Sequence, residues 1–383
     1  MSTAYQLRYS LPMRLPILVL ALAPLYGQTI GMDSHIDTAQ RVLIDRADIT
    51  QRSPVGHVDI PRLKEGGVNA PFFALWVPTY YRGAEAVRRT LDLRDAMQRL
   101  FDTHPEQIAL ALTAADVERI TKNGRIAAIL AVEGGHQIDN DLAVLRIYHR
   151  LGIRSMTLTH FRNTEWADSS TDKPAHNGLT PFGKEVVREM NRLGMIVDVS
   201  HVSDKTFFDA LAVSTKPVIA SHSSCRALSD VVRNMTDEML QALAKNGGVV
   251  GINFGEGFVN QKDAERLKAD IANATAEPPS LSGKALDDYA AEELHRDMKA
   301  TPVAATVDDV AEHVDHAVKV AGIDHVGIGS DFDGISGPPN GLEDVSKMPA
   351  LKAALKKKGY SDDDLKKIFG LNTLRVLREV TGK

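Results

Sequence analysis

Imidazoles and carboxylates recur in this chain where apolar, β-branched runs end. His35 and Asp37 lie two residues apart in MDSHIDTAQ, a spacing that puts both on one face of a strand. Glu133 closes AAILAVE just before Gly134 and Gly135. His160 closes SMTLTH, His201 closes MIVDVSH, His222 sits in PVIASHS and Asp331 in HVGIGSDFDG. One histidine at a strand end is an ordinary hydrogen-bonding residue. The same placement on run after run calls for a common cavity. Histidines and carboxylates without thiolates favour Zn²⁺ or a similarly borderline divalent ion. A carboxylate can bridge two ions roughly 3.5–4 Å apart, which together activate a water. Glu133 is the best bridge, because its strand falls between the histidine sets and the Gly-Gly turn lets backbone approach closely. His136, beyond that turn, is a weaker ligand candidate. Asp333 shares a strand face with Asp331 and is its rival for acid–base work. Asp168 and Asp198 read as structural groups.

These side chains need a scaffold that gathers strand ends. Eight runs read as strands, at 31–37, 68–77, 127–134, 155–160, 195–201, 217–223, 248–254 and 325–334. Their apolar residues do not alternate with polar ones, as in strands covered on both faces of a parallel sheet. Amphipathic helices are expected between them, at 83–104, 180–194, 203–214 and 236–248. The second has Thr180 as cap, Pro181 in its first turn and Gly194 at its end. Eight such β–α repeats predict an α/β fold, a (β/α)8 TIM barrel, whose strand C-termini converge on one mouth. The charged, alanine-rich stretch 261–302 is expected to be a partly helical insertion before strand eight. The stretch 362–380 should form a closing helix pair, broken near Gly370 and Asn372.

Composition narrows the class. The chain has 383 residues, 43% hydrophobic and 25% charged, with a net charge of −5. This is globular composition, and without a sustained basic stripe nucleic acid is not an expected partner. The lysines of KAALKKKGY, at 352–360, read as a solvated helix face. The single cysteine, Cys225, rules out an intrachain disulfide and a cysteine-rich zinc cage. It reads as an incidental small residue. MRLPILVLALAPLYGQ, at 13–28, resembles a secretory signal and is too short for a membrane span. The expected division is a signal peptide or leader over 1–28 and one metal-dependent hydrolase barrel over 29–383. A periplasmic or secreted location follows from it, with the cytoplasm as the alternative.

Longer stretches carry a resemblance. DSHID, VEGGHQID, LTHFRNTEWADSS, GLTPFGKEVVREMNRLGMIVDVSHVS, PVIASHSSCRAL and IGSDFDG followed by GLEDVSK look like the membrane (renal) dipeptidase family of zinc peptidases, a branch of the amidohydrolase barrels. The similarity runs from about Met32 to the C-terminus. It implies a binuclear zinc centre, with His35 and Asp37 on one ion, His201 and His222 on the other, and Glu133 between. It implies that a water shared by the ions attacks the peptide bond. Asp331 would pass that water's proton to the leaving amine, and His160 would contact the scissile carbonyl or its tetrahedral successor. Arg233, in VVRNMTDE, matches the family arginine that pairs with the substrate's terminal carboxylate. The implied substrate is a dipeptide, including those with a D-configured second residue, and a homodimer is left open.

The chain departs from the family in places. Ser34 and Ile36 stand between the first ligands, where the pattern is usually Asp-Gly-His-Asn-Asp. VPTYYRGAE lacks the cysteine of animal relatives, and NFGEGF differs where substrate-side residues lie. Two alternatives stand beside this reading. One is another binuclear barrel hydrolase, but many of those use a lysine bridge after strand four, where this chain has His160. The other is a non-catalytic metal-binding barrel, which would be expected to lack a ligand or acid–base group.

Overall fold

The structure is a computed structural model that describes residues 29–275, 280–297 and 302–382. Its centre is a parallel sheet. The strands are β1 Met32–Ile36, β2 Ala70–Trp76, β3 Ile108–Leu110, β4 Ile126–Glu133, β5 Ile153–Thr157, β6 Ile196–Asp198, β7 Ile219–Ser223, β8 Val249–Ile252 and β9 Val326–Ile328. Eight of them follow the order β1-β2-β4-β5-β6-β7-β8-β9, with β3 beside β4 and off that path. A bridge between Ile36 and Phe332 joins the two ends. There the Asp37 N–H donates to Phe332 O at 2.9 Å and the Asp331 N–H to His35 O at 3.0 Å. The result is a nearly closed (β/α)8 barrel, as the eight apolar runs predict.

Strand β4 explains why those runs do not alternate. Ala128, Leu130 and Val132 pack outward in the core shared with the helices. Ala127, Ile129 and Ala131 pack with Met32, Ala70 and Phe72 in a second core. Successive side chains point to opposite faces, and both faces are covered, so each position must be apolar.

The sequence reading missed β3, whose three residues are too short to stand out as a run. It also ran most strands too long, three of them by three residues or more. Those expected at 155–160, 195–201 and 325–334 end at Thr157, Asp198 and Ile328, so His160, His201 and Asp331 stand three residues beyond the ladder. At the last two the backbone turns left-handed, with φ of 67° at His201 and 62° at Asp331. Such a conformation costs a non-glycine residue roughly 1–3 kcal/mol and persists only where surrounding contacts over-determine it.

The remaining expectations concern what covers the barrel ends. Helix Pro181–Leu193 is capped by Thr180, whose side chain accepts from Gly183 N–H, and it stops at a left-handed Gly194. The tail forms helix Asp362–Lys366, a π turn over Lys367–Leu371 and helix Asn372–Thr381. At the break, a Cβ on Gly370 would lie 2.0 Å from Ile30 O, so only glycine fits there. Leu374, Val376, Leu377 and Val380 of the last helix join the inner core with Ile196, Ile219 and Val249. Those three stand at the starts of β6, β7 and β8. The helix therefore plugs the end where strands begin and leaves the other mouth for the site.

The insertion is helical, with segments Ala264–Thr275 and Gly283–Asp297. The second docks on the segment after β2, where Tyr80 donates to Glu293 at 2.7 Å and Tyr81 to Asp287 at 2.8 Å. Among the described residues no helix is long and apolar enough to cross a membrane. The leader expected at 1–28 lies outside the described residues.

Candidate metal centre

His35 and Glu133 sit inside or at the end of their strands, and His222 lies within β7. Asp37 immediately follows β1 as the chain turns into helix Thr38–Ile44. All four converge with His160, His201 and Asp331 at the open mouth. One ligand atom each from His35, Glu133 and His222 lies within 4.8 Å of the others. The same holds for Glu133, His160 and His201, and for His35, Asp37 and Asp331.

Glu133 lies at the centre, and its two oxygens face different neighbours. Oε2 is 3.3 Å from His35 Nε2, which in turn is 3.4 Å from Asp37 Oδ2. Oε1 is 3.1 Å from His201 Nε2, 3.3 Å from His222 Nε2 and 3.5 Å from His160 Nε2. The Nε2 atoms of His201 and His222 are 2.8 Å apart.

The state of His222 follows from its neighbours. Ser221 Oγ donates to Asp198 Oδ2 at 2.6 Å, so toward His222 Nδ1, at 2.8 Å, it acts as acceptor. The ring proton is therefore on Nδ1, and Nε2 turns a lone pair into the cluster. Asp198 is held by four donors, which are Thr157 Oγ1, Ser221 Oγ, Ser200 N–H and Ser221 N–H. It is a buried anchor, in keeping with a structural reading. So is Asp168, which accepts from the N–H groups of Ala175, His176 and Gly178.

Electrostatics show what the cluster lacks. Burial pulls the His160, His201 and His222 imidazoles well below their usual range, with nearby Arg233 adding to it, so they are neutral. Burial also raises Glu133 and Asp37, and lifts Asp331 to about 7. His35 alone moves well upward, because Glu133 and Asp37 outweigh the burial that would lower it. The carboxylates thus draw a proton onto the imidazole between them. Among the described residues, His35 Nε2 and Asp37 Oδ1 are buried without a hydrogen-bond partner. Neutral imidazole lone pairs, converging carboxylates and orphaned donor atoms fit divalent cations.

Of the other candidate residues, some border this cluster and others do not. His160 Nδ1 is buried and has no hydrogen-bond partner among the described residues, with its ring 4.3 Å from Phe161 and 5.7 Å from Trp76. Arg233 is 3% exposed, its guanidinium 5.3 Å over the Phe258 ring. Its Nη2 donates to His222 O at 3.3 Å, while Nε has no hydrogen-bond partner among the described residues. Burial lowers Arg233 to about 10, against the pull of Asp331 and Glu133, and it stays cationic. Asp333 turns away from the cluster. Its carboxylate takes Arg41 at 3.1 Å, Thr38 Oγ1 at 2.7 Å and His57 N–H at 2.6 Å. His136 is half-buried beside Gly134 and stands in none of the three groups. Cys225 is buried and its thiol pushed up to about 12, which makes it inert.

The sequence reading overlooked three residues here. Ser221 sets the His222 tautomer. Asp33 accepts from the N–H groups of His35 and Ser330 at 3.2 and 2.9 Å, clamping β1 to the segment after β9. Asn253, first residue beyond β8, donates from Nδ2 to Asp331 Oδ2 at 2.9 Å. Its position just past an apolar run, like that of the other cluster residues, was the available signal. Ser34, a departure from the family pattern, places its single hydroxyl proton between two carbonyl acceptors, Ser221 O at 2.6 Å and Ile328 O at 2.9 Å. Its hydroxyl is accommodated by Gly251 and Gly329, where a Cβ would meet it at 2.3 and 3.0 Å.

A mononuclear or binuclear hydrolase barrel of the metallopeptidase kind is the class that this fold and cluster define. A family model described as membrane dipeptidase, peptidase family M19, matches residues 21–382. The chain belongs to that family and is a metallo-dipeptidase. It is 40% identical over 370 residues to dipeptidase tcpJ of Claviceps purpurea, covering 92% of this chain and 78% of that protein. With dipeptidase verJ of Clonostachys rogersoniana it shares 38% over 337 residues, 85% of this chain and 76% of the other. Among solved structures, the probable dipeptidase PvdM from Pseudomonas aeruginosa superposes with a TM-score of 0.79 at 27% identity, covering 93% and 96%. A metallopeptidase from Rhodobacter sphaeroides, liganded with a phosphinate mimic of the dipeptide L-Ala-D-Ala, gives 0.75 at 28% identity, covering 92% and 99%.

Proposed function

We propose that this dipeptidase works with two zinc ions and accepts dipeptides whose second residue is of either configuration. The observation that carries the binuclear reading is the division of Glu133, with Oε2 toward His35, itself beside Asp37, and Oε1 toward His201 and His222. His35, Asp37 and Glu133 would hold one ion, and Glu133, His201 and His222 the other. Two such ions would supply Lewis acidity toward the scissile carbonyl and a water of lowered pKa.

The chain's own residues do the rest. Arg233, a buried cation whose Nε–H has no partner among the described residues, pairs with the substrate's terminal carboxylate by charge-assisted hydrogen bonds. A longer peptide would carry that carboxylate beyond reach, which restricts substrates to dipeptides. His160 donates to the carbonyl oxygen as negative charge develops on it. Asp331 takes the proton of the attacking water and delivers it to the leaving amine. Tolerance of a D-residue is supported by the L-Ala-D-Ala mimic bound to the Rhodobacter relative.

The test is metal content and turnover together. Purified protein equilibrated with zinc and then desalted should hold about two ions per chain. It should cleave L-Ala-L-Ala and L-Ala-D-Ala, with the chelated protein inactive. One ion per chain at full activity would reject the binuclear reading. Cleavage confined to L-Ala-L-Ala would reject the D-tolerance.

A further inference from the structure

We infer that Asn253 is a positioning residue for the acid–base carboxylate, its side-chain amide holding one oxygen of Asp331 so that the other faces the reacting groups. This rests on the proposed role of Asp331.

The orientation of the amide is fixed by a backbone donor. Gly255 N–H donates to Asn253 Oδ1 at 2.5 Å. An N–H can only point at an acceptor, so the oxygen lies on that side and the NH₂ group on the other. Nδ2 then donates to Asp331 Oδ2 at 2.9 Å. The Asn253 backbone is tied as well, its N–H donating to Ser223 O at 3.2 Å and its carbonyl accepting from Ser224 Oγ at 3.2 Å. Asn253 is fully buried, so its amide does not swing between partners.

This divides the Asp331 oxygens. Oδ2 accepts from Asn253. Oδ1 lies on the other side, beside Asp37 Oδ2, over a glycine. A Cβ on Gly334 would meet Asp37 Oδ2 at 2.3 Å and Asp331 Oδ1 at 2.5 Å. The oxygen that takes the proton is therefore Oδ1, on the side of His35 and Asp37. In the reaction, the hydroxyl of the attacking water goes to the carbonyl carbon and its proton to Oδ1. The carbon–nitrogen bond breaks as that proton passes to the amine nitrogen. Asn253 touches neither water nor substrate in this scheme; it fixes the carboxylate that does. The need for a second constraint is visible in the backbone, since Asp331 stands past the ladder at φ 62°.

Asn253→Asp separates this role from mere turn-building. It keeps an oxygen for Gly255 N–H and replaces the donor toward Asp331 with a second acceptor. In the zinc-loaded enzyme, kcat for L-Ala-L-Ala should fall about tenfold to a hundredfold, with KM and metal content little changed. The kcat–pH profile should shift as well. In an Asp331→Asn background, the same substitution should cost less than about twofold more. Unchanged kcat and an unchanged pH profile in Asn253→Asp would overturn the inference while leaving the Asp331 reading intact. Full activity of Asp331→Asn would overturn both. Asn253→Ser, which retains a donor, provides the readout if the Asp variant does not fold. It should keep more activity than Asn253→Ala, and equal loss in the two would count against the inference.

Discussion

Ser221 Oγ accepts from His222 Nδ1 at 2.8 Å while its own proton is committed to Asp198 Oδ2 at 2.6 Å. The proposed ion ligand His222 is thus oriented by a hydroxyl that is itself oriented by a fully satisfied carboxylate. Groups of this kind set ring orientation and basicity, and losing them typically weakens metal binding 10–100-fold. Ser221→Ala should therefore lower zinc affinity by about that factor in a chelator competition. Activity at saturating zinc should fall far less. An affinity within about twofold of the parent would show that the tautomer is set some other way.

Asp331→Asn keeps the shape of the carboxylate and removes its ability to take a proton. Loss of a general acid–base group typically costs about 10²–10⁴ in rate. We expect that loss in kcat, with metal content and KM near those of the parent. Near-normal turnover would assign the proton to another group.

In the proposed reading Arg233 offers a cation to a carboxylate that only a dipeptide end brings within reach. A hydrogen bond to a charged group contributes about 1.5–3 kcal/mol. Arg233→Ala should then raise KM about tenfold to a hundredfold with kcat less affected. Dipeptide amides, which lack the carboxylate, should be indifferent to the change. An equal loss for acid and amide would reject the clamp.

Much of this was legible because of one physical pattern. Strands buried on both faces must be apolar throughout, so a polar residue at the end of such a run stands out. That exposed His35, Glu133, His160, His201, His222 and Asp331. What it could not show was how side chains hydrogen-bond to one another. Asp331 and Asp333 share the DFD spacing, yet one joins the cluster and the other pairs with Arg41. That difference comes from partners nearly three hundred residues away. Ser221 and Asn253 are uncharged and look like filler in PVIASHS and GVVGINF. Their roles depend on the direction of a hydrogen bond, which no local pattern encodes. β3 stayed hidden for a different reason, since it is held by register with β4 and not by its own sequence.

The Asp333 environment gives a stability prediction in place of a catalytic one. Removing one partner of a buried ion pair leaves an uncompensated charge and costs about 3–5 kcal/mol. Asp333→Ala, which strands the buried Arg41 guanidinium, should destabilise the protein by about that amount in denaturant unfolding. Whatever folded protein remains should keep its metal-loaded kcat. A fall in kcat with unchanged stability would instead place Asp333 in the chemistry.

His313 should make stability depend on pH, away from the metal cluster. Its Nδ1 accepts from Cys225 N–H at 3.0 Å, and its Nε2 faces Val259 O at 3.2 Å. Both bonds are met by the neutral ring with its proton on Nε2. Protonating Nδ1 would set two N–H groups against each other in a buried site. Burial lowers the group to about 4, against about 6.5 for a histidine in the unfolded chain. Between those values the unfolded chain binds the extra proton, so stability falls as pH drops from about 6.5 toward 4. Above about 6.5 neither state is protonated and the group adds no pH dependence. The slope approaches about 1.4 kcal/mol per pH unit inside that window. Urea unfolding of the parent and of His313→Gln at pH 7.5 and 5 isolates the effect, since other buried histidines are common to both. The variant should be less stable at pH 7.5 and lose less on going to pH 5. Parallel losses in the two proteins would show that His313 is not the group that titrates.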